Sequence, residues 1–350
     1  MKLLLKSFIC NVSYALHLPK YLGFFRRNKI LFLMYHRILK SYSENPLKHL
    51  NEYSISESQF EDQMAYLSRH CNVISASEAI AGKNISKDKK NVVVTLDDGY
   101  KNNYTNAFPI LLKYNFPALF SITTGFVANR IPMWFDILEY AVANTHQKTA
   151  RIKWKDTYIP FRLETTTEKI KFFKWLHSKC IEIIQEERDQ FISNILIELN
   201  VTINNEKIFE DPDYAPLSAQ EIRIMSESKI AEFATHSVHH YLLSRVSLPT
   251  LKNELISSKS TVEHITGLPC KYFCIPGGFY NNSVIDVILN AGFEKIFSSD
   301  IIEIDPMSIG NVIGRYGITR YITKELFADI INGPFHWIYY SLKSRNNSNK

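Results

Sequence analysis

Cysteine is scarce in this chain. Its 350 residues carry five, Cys10, Cys71, Cys180, Cys270 and Cys274, an odd number spaced neither as a disulfide framework nor as a zinc ribbon. Cys270 and Cys274 fall on an apparent strand, where four residues span roughly 13 Å, too far to bridge. This usage points to a reducing compartment. Long apolar runs are missing too, none approaching the roughly 18 residues that a membrane span requires. With no extended Lys/Arg block and no basic-aromatic pattern, the net charge of +6 does not make a nucleic-acid binder. Phosphate-bearing lipids and acidic glycans stay compatible with it. A hydrophobic content of 45% excludes general disorder and suffices for one large α/β domain or two smaller ones.

A clear leader is also lacking. Met1 to Lys6 begins like a secretory signal, but Lys6 interrupts the apolar stretch after three leucines and no plain small-x-small cleavage site follows. Leu4, Leu5, Phe8, Ile9, Val12 and Leu16 recur at helical spacing among Lys2, Lys6, Lys20, Arg26 and Arg27. Residues 1–29 therefore read as a basic amphipathic segment that either lies on a membrane surface or packs on the body of the protein. The expected location is the cytoplasm, including its membrane face, with export as the alternative.

What the chain does have is a strand that ends in acid. Asn91-Val92-Val93-Val94-Thr95-Leu96 is β-branched and unbroken, as in a parallel sheet covered on both faces. Asp97-Asp98-Gly99 follows, at the carboxyl end where α/β folds place their chemistry; a plain turn is the simpler alternative. Ile30 to Met34 is a second such strand, leading into Tyr35-His36-Arg37. Helices over 56–70 and 104–114 and a strand over 116–122 continue a βα alternation that predicts a parallel sheet or barrel over 30–128. The alternation breaks over 129–215, where helices at 134–142, 167–180 and 185–199 and a short hairpin near 152–161 predict a helical insertion. Its Trp134, Phe135, Phe172, Phe173 and Trp175 read as core. Barrel-like order resumes over 216–330, with a capped helix from Ser218, a strand over 230–235, a helix over 248–266 stopped by Gly267, and a strand over 271–275. Residues 331–350 form a tail, polar from Ser344.

His236 and His240 are four apart. On a helical turn their rings share a side at roughly 5–6 Å, close enough to ligate one ion together with an acid from the Asp-Asp strand. His239 offers a competing pair with His236, so spacing alone leaves the ligands open.

Thr95-Leu96-Asp97-Asp98-Gly99, His236-Ser237-Val238-His239-His240 and Tyr272-Phe273-Cys274-Ile275-Pro276-Gly277-Gly278-Phe279-Tyr280-Asn281 resemble, in order and spacing, the motifs of the polysaccharide deacetylases, carbohydrate esterase family 4. Leu33-Met34-Tyr35-His36-Arg37 matches as well. The resemblance covers about residues 30–128 and 216–320 and implies a distorted (β/α) barrel carrying the insertion. It implies Asp97 as general base, Asp98, His236 and His240 as ligands of a divalent metal, most readily zinc with cobalt, nickel or manganese as substitutes, and an N-acetylated glycan as substrate. Such chemistry is coherent, since an amide is a poor electrophile that needs metal polarisation and a separate base for the water. Gly277 is the implied oxyanion donor, on a substrate loop with Tyr280.

Two departures stand out. Phe273 occupies the position of an arginine that orients the base, leaving Arg315 or Arg320 to replace it. No C-terminal Leu-x-x-His supplies the general acid; His36, matching the first-strand His of deacetylases of exported poly-N-acetylglucosamine, is the expected acid, ahead of His336. These departures also admit a non-catalytic glycan-binding protein on a degenerate barrel, and the same metal site admits an O-acetyl esterase.

Overall fold

A computed structural model describes residues 29–333. The amphipathic segment ahead of Lys29, His336 and the polar tail fall outside the described residues. In chain order the strands are β1 (Ile30–Tyr35), β2 (Ile38–Leu39), β3 (Ile55–Ser56), β4 (Cys71–Val73), β5 (Lys90–Leu96), β6 (Ala118–Ile122), β7 (Thr149–Trp154), β8 (Thr157–Arg162), β9 (Ala231–Thr235), β10 (Tyr272–Cys274), β11 (Lys295–Phe297), β12 (Val312–Ile313) and β13 (Tyr316–Gly317). Nine form one sheet in the order β12-β11-β10-β9-β6-β5-β1-β13, with β4 also on β5, and its strand pairs are parallel.

The two edges of this sheet, β12 and β13, are consecutive in sequence and separated only by Gly314 and Arg315. Three residue steps reach at most about 11 Å, so the sheet must curl until its edges nearly meet. The distorted barrel expected from the sequence is thus a mostly parallel half-barrel. Gly314 stands at this seam because a side chain there would meet the Asp300 carbonyl, with a Cβ only 2.2 Å from the oxygen.

Strand alternation sorts the apolar side chains into two cores. Ile30, Phe32, Val93, Leu119, Ala234, Cys274, Phe297 and Ile313 fill the inside of the barrel. Leu31, Leu33, Val92, Val94, Phe120 and Phe273 face outward to the helices. Both faces of β5 are therefore dry, which is why its valines run without a polar break. Each contributes on the order of 1.5–3 kcal/mol by burial.

Local signals set the surrounding helices. Helix Glu57–His70 starts where the Ser56 side chain accepts from Gln59 N, and helix Leu248–Thr266 stops at left-handed Gly267. The helix expected from Tyr104 opens differently: Asn103–Ala107 is a π-helix, and the α-helix runs only over Phe108–Tyr114. Pro109, which has no N–H for an i−4 bond, sits in the first turn of the regular part, where that loss is tolerated.

The chain leaves the sheet after β6 and returns at β9, which pairs directly with β6. Between them lie helices Trp134–Asn144, Thr166–Glu182 and Gln185–Glu198 and the antiparallel hairpin β7–β8. Phe172 and Trp175 pack on Phe161, each at a ring separation of 4.8 Å, as core residues do. Cys71, Cys180, Cys270 and Cys274 are buried free thiols. Among the described residues no helix is long and apolar enough to cross a membrane.

Candidate metal and active site

The alternation that builds the inner core also builds the site. Two residues beyond the inward-facing Met34, Thr95, Leu119, Ala234 and Ile313 stand His36, Asp97, Ser121, His236 and Arg315. Polar side chains from five strands thereby gather at one end of the barrel, above a dry interior. The Cys274 carbonyl adds an acceptor from β10.

Asp97 and Asp98 part company because Asp98 (φ 81) and Gly99 (φ 87) both take left-handed backbone and turn the chain sharply. Asp97 accepts Arg315 Nη1 on Oδ1 and Nη2 on Oδ2, both at 2.7 Å, and Ser121 Oγ at 2.6 Å. Burial pushes its carboxyl upward, but the Arg315 guanidinium, joined by the neighbouring His236 and His36, outweighs this and holds it well below the usual carboxylate range. The group is ionised and fixed in direction by Arg315 and Ser121.

Asp98 Oδ1 is buried without a hydrogen-bond partner, while His236 Nε2 and His240 Nε2 stand 3.5 and 3.4 Å from it. Ligand atoms of the three residues lie within 4.8 Å of one another. His236 Nδ1 faces the Cys274 carbonyl at 2.8 Å, which assigns the ring proton to Nδ1 and leaves Nε2 a bare lone pair. Burial lowers the His236 imidazole to about 4, so it is neutral at physiological pH. An orphaned carboxylate oxygen beside two imidazole nitrogens fits a divalent cation and suits zinc among others.

The histidines do not sit on a helical turn. Residues 236–242 form a loop in which Ser237 (φ 64) and His240 (φ 55) are left-handed, and this brings the His236 and His240 rings to 4.8 Å. Glu254, buried on helix Leu248–Thr266, organises the loop by accepting Val238 N and His239 N at 2.9 Å. Its other oxygen takes His239 Nδ1 at 2.6 Å, which withdraws His239 from the donor set and raises its pKa.

A cavity of about 400 Å³ opens over these groups and is lined by His36, Asp97, Asp98, His236, His240 and Gly277, among others. Gly277 has φ 63, and a Cβ there would come within 2.8 Å of Leu242 Cδ2, so glycine is required on both counts. Tyr280 is turned elsewhere, its hydroxyl donating to Asp300. Phe273 is fully buried against Phe293 at 5.3 Å, an apolar position, and the guanidinium on the base comes from Arg315. Arg320 instead donates to the carbonyl of Asn51 at 2.8 Å.

The His36 ring packs on Tyr53 at 5.0 Å, and its Nδ1 is buried without a partner. Burial lowers its pKa, with Asp98 and Asp97 opposing. Sequence reasoning missed the insertion's part in the site. Trp134, Phe135 and Phe173 are buried, yet all three line the cavity, as does His177, stacked on Trp134 at 5.1 Å. Phe135 meets the His240 ring edge-on at 5.3 Å. Nothing in the helical periodicity distinguishes a wall of this kind from core.

A family model described as polysaccharide deacetylase matches residues 84–155 and 191–296. The poly-beta-1,6-N-acetyl-D-glucosamine N-deacetylase of Staphylococcus aureus (strain NCTC 8325 / PS 47) is 36% identical over 118 residues, 31% of this chain and 40% of that protein. The protein of the same name from Staphylococcus epidermidis is 32% identical over 112 residues, 29% of this chain and 37% of the relative. The matched stretch thus spans about 40% of the first relative's length. Among solved structures, the Streptococcus pyogenes deacetylase PplD in complex with acetate superposes with a TM-score of 0.56 at 16% identity, covering 87% of this chain and 98% of that one. IcaB from Ammonifex degensii gives 0.54 at 18% identity, covering 87% and 96%. At these identities the structural likeness speaks for the fold.

Proposed function

Since the chain belongs to the polysaccharide deacetylase family, we propose that it is a metal-dependent hydrolase that removes N-acetyl groups from amino sugars of a glycan or glycan precursor. One observation carries this reading. An Asp98-His236-His240 donor set lies beside a second carboxylate, Asp97, that is ionised, held by Arg315 and kept out of that set.

Asp98, His236 and His240 would hold the ion, zinc in the first instance. When bound, a divalent cation polarises the amide carbonyl and acidifies water. Asp97 takes a proton from the attacking water as its oxygen bonds to the carbonyl carbon. The Gly277 backbone N–H donates to the carbonyl oxygen as negative charge grows on it. His36, neutral at rest because of burial, receives the proton that Asp97 took from water and passes it to the leaving nitrogen as the C–N bond breaks, so that water and amide become acetic acid and amine. Trp134, Phe135 and Phe173 supply an apolar wall of the cavity, with Phe135 against the His240 ring. The binding-only reading loses one of its two supports, because Arg315 supplies the guanidinium that Phe273 does not.

Acetate release from N-acetylated glycan oligomers should disappear on chelation, return with zinc, and be absent in Asp98→Ala. Acetate from O-acetylated substrates alone would replace the amidase reading with an esterase one, and the absence of stoichiometric metal would sink the site. His36→Gln should lower kcat by about 10²-fold, within the usual range for a positioned acid, with zinc affinity unchanged. Turnover within twofold of wild type would move the acid elsewhere.

A further inference from the structure

Glu139 lies on the first helix of the insertion, Trp134–Asn144, and is almost fully buried. All its described partners are donors. Oε1 accepts the backbone N–H of His49 at 2.9 Å and the Tyr214 hydroxyl, and Oε2 accepts the N–H of Leu50 at 2.8 Å. Two successive amides can point at one carboxylate because His49 is left-handed, with φ 56, a strained state for a residue with a Cβ that persists only where the surroundings dictate it. The opposite side of the same loop is held by Arg320, which donates from Nη2 to the carbonyls of His49 and Asn51 and from its backbone N to Glu52 O at 2.9 Å.

What this clamp holds is a wall of the cavity. Leu50, Asn51, Glu52 and Tyr53 all line it, as does Glu139 itself, and Tyr53 carries the ring on which His36 packs. One turn earlier on the helix, Asp136 accepts Arg37, the residue after His36, and takes the Tyr100 hydroxyl at 2.7 Å. The Arg37 guanidinium lies between the Tyr100 and Tyr214 rings at 4.3 and 4.6 Å. The insertion thus grips His36 from two sides, through its chain neighbour and through its ring neighbour.

We propose that Glu139 is a positioning residue, which fixes loop 49–53 as the substrate-facing wall and, through Tyr53, sets the His36 ring. Its carboxylate is needed as an acceptor on both oxygens; a glutamine must turn an NH2 toward a donor and so gives up one side of the clamp. The kinetic part of this proposal rests on the deacetylase reading, and the structural part does not.

The test compares the full chain, zinc-loaded, with its Glu139→Gln variant by hydrogen exchange and by steady-state kinetics on a β-linked N-acetylglucosamine oligomer. Peptides covering residues 47–54 should exchange about tenfold faster while those of β5 and β9 keep their protection. KM should rise and kcat fall, each by about tenfold, with zinc affinity unchanged, and Glu139→Asp should recover part of both. Wild-type exchange over 47–54, or faster exchange with unchanged KM and kcat, would overturn the proposal. Should Glu139→Gln fail to fold, Tyr214→Phe, which removes the hydroxyl that donates to the carboxylate and itself accepts the His49 N–H at 3.2 Å, must shift exchange and KM in the same direction by a smaller factor. A wild-type protein that releases no acetate would refute the deacetylase reading, and exchange over 47–54 would still decide the clamp.

Discussion

Asp97→Asn is expected to lower acetate release by about 10²–10⁴-fold, the range a positioned acid or base contributes, while the protein stays folded and binds zinc as tightly as before. Asparagine has nearly the shape of aspartate and can still accept from Ser121 and one Arg315 nitrogen. It has no basic oxygen left for a water proton. The ion would be unaffected because the candidate ligand atoms belong to Asp98, His236 and His240, and Asp97 is not among them. Turnover and zinc stoichiometry measured on one preparation separate the two carboxylates. A loss of zinc in Asp97→Asn would mean that the base and the ligand have been exchanged, and unchanged turnover would place the base on another residue.

Arg315→Met should cost more in stability than any other change at the site. It leaves the Asp97 carboxylate buried without its countercharge, and takes donors from Thr95 Oγ1 at 3.1 Å and the Ser298 carbonyl at 3.2 Å. Removing one partner of a buried ion pair costs about 3–5 kcal/mol, read as a fall in the denaturation midpoint at unchanged slope. Arg315→Lys keeps the charge but not the two-pronged fit to the carboxylate. It should fold with an intermediate loss and release acetate at least about tenfold more slowly, through misorientation of the base, with zinc affinity intact. Full activity in Arg315→Lys would show that Asp97 needs only a nearby charge.

Much of this architecture could be read from local signals. An unbroken valine run implies a strand covered on both faces, and β5 is one. Ser218 with Glu221 implies a capped helix, and both halves of that capping box are formed. The acid pair and the histidine loop were conspicuous because each is contiguous in sequence. Arg315 was harder to identify because it lies 218 residues from Asp97, between strands of two residues each, too short for an alternation pattern to register. Only the curled sheet, which brings its last strands beside its first, makes the two neighbours. The i, i+4 spacing of the two histidines suits a helical turn, but it cannot distinguish a helix from a loop with left-handed residues at Ser237 and His240. Glu139 gave no signal of any kind, since one acid on an amphipathic helix ordinarily faces water.

The direction of β1 has a practical consequence. The strand enters at Ile30 beside Lys29, which pairs with Asp305, and delivers His36 at its other end, about 20 Å away at the usual rise per residue. Lys29 and Asp305 therefore mark the end of the barrel opposite the cavity, and a change made to that pair can reach the site only along the length of the strand.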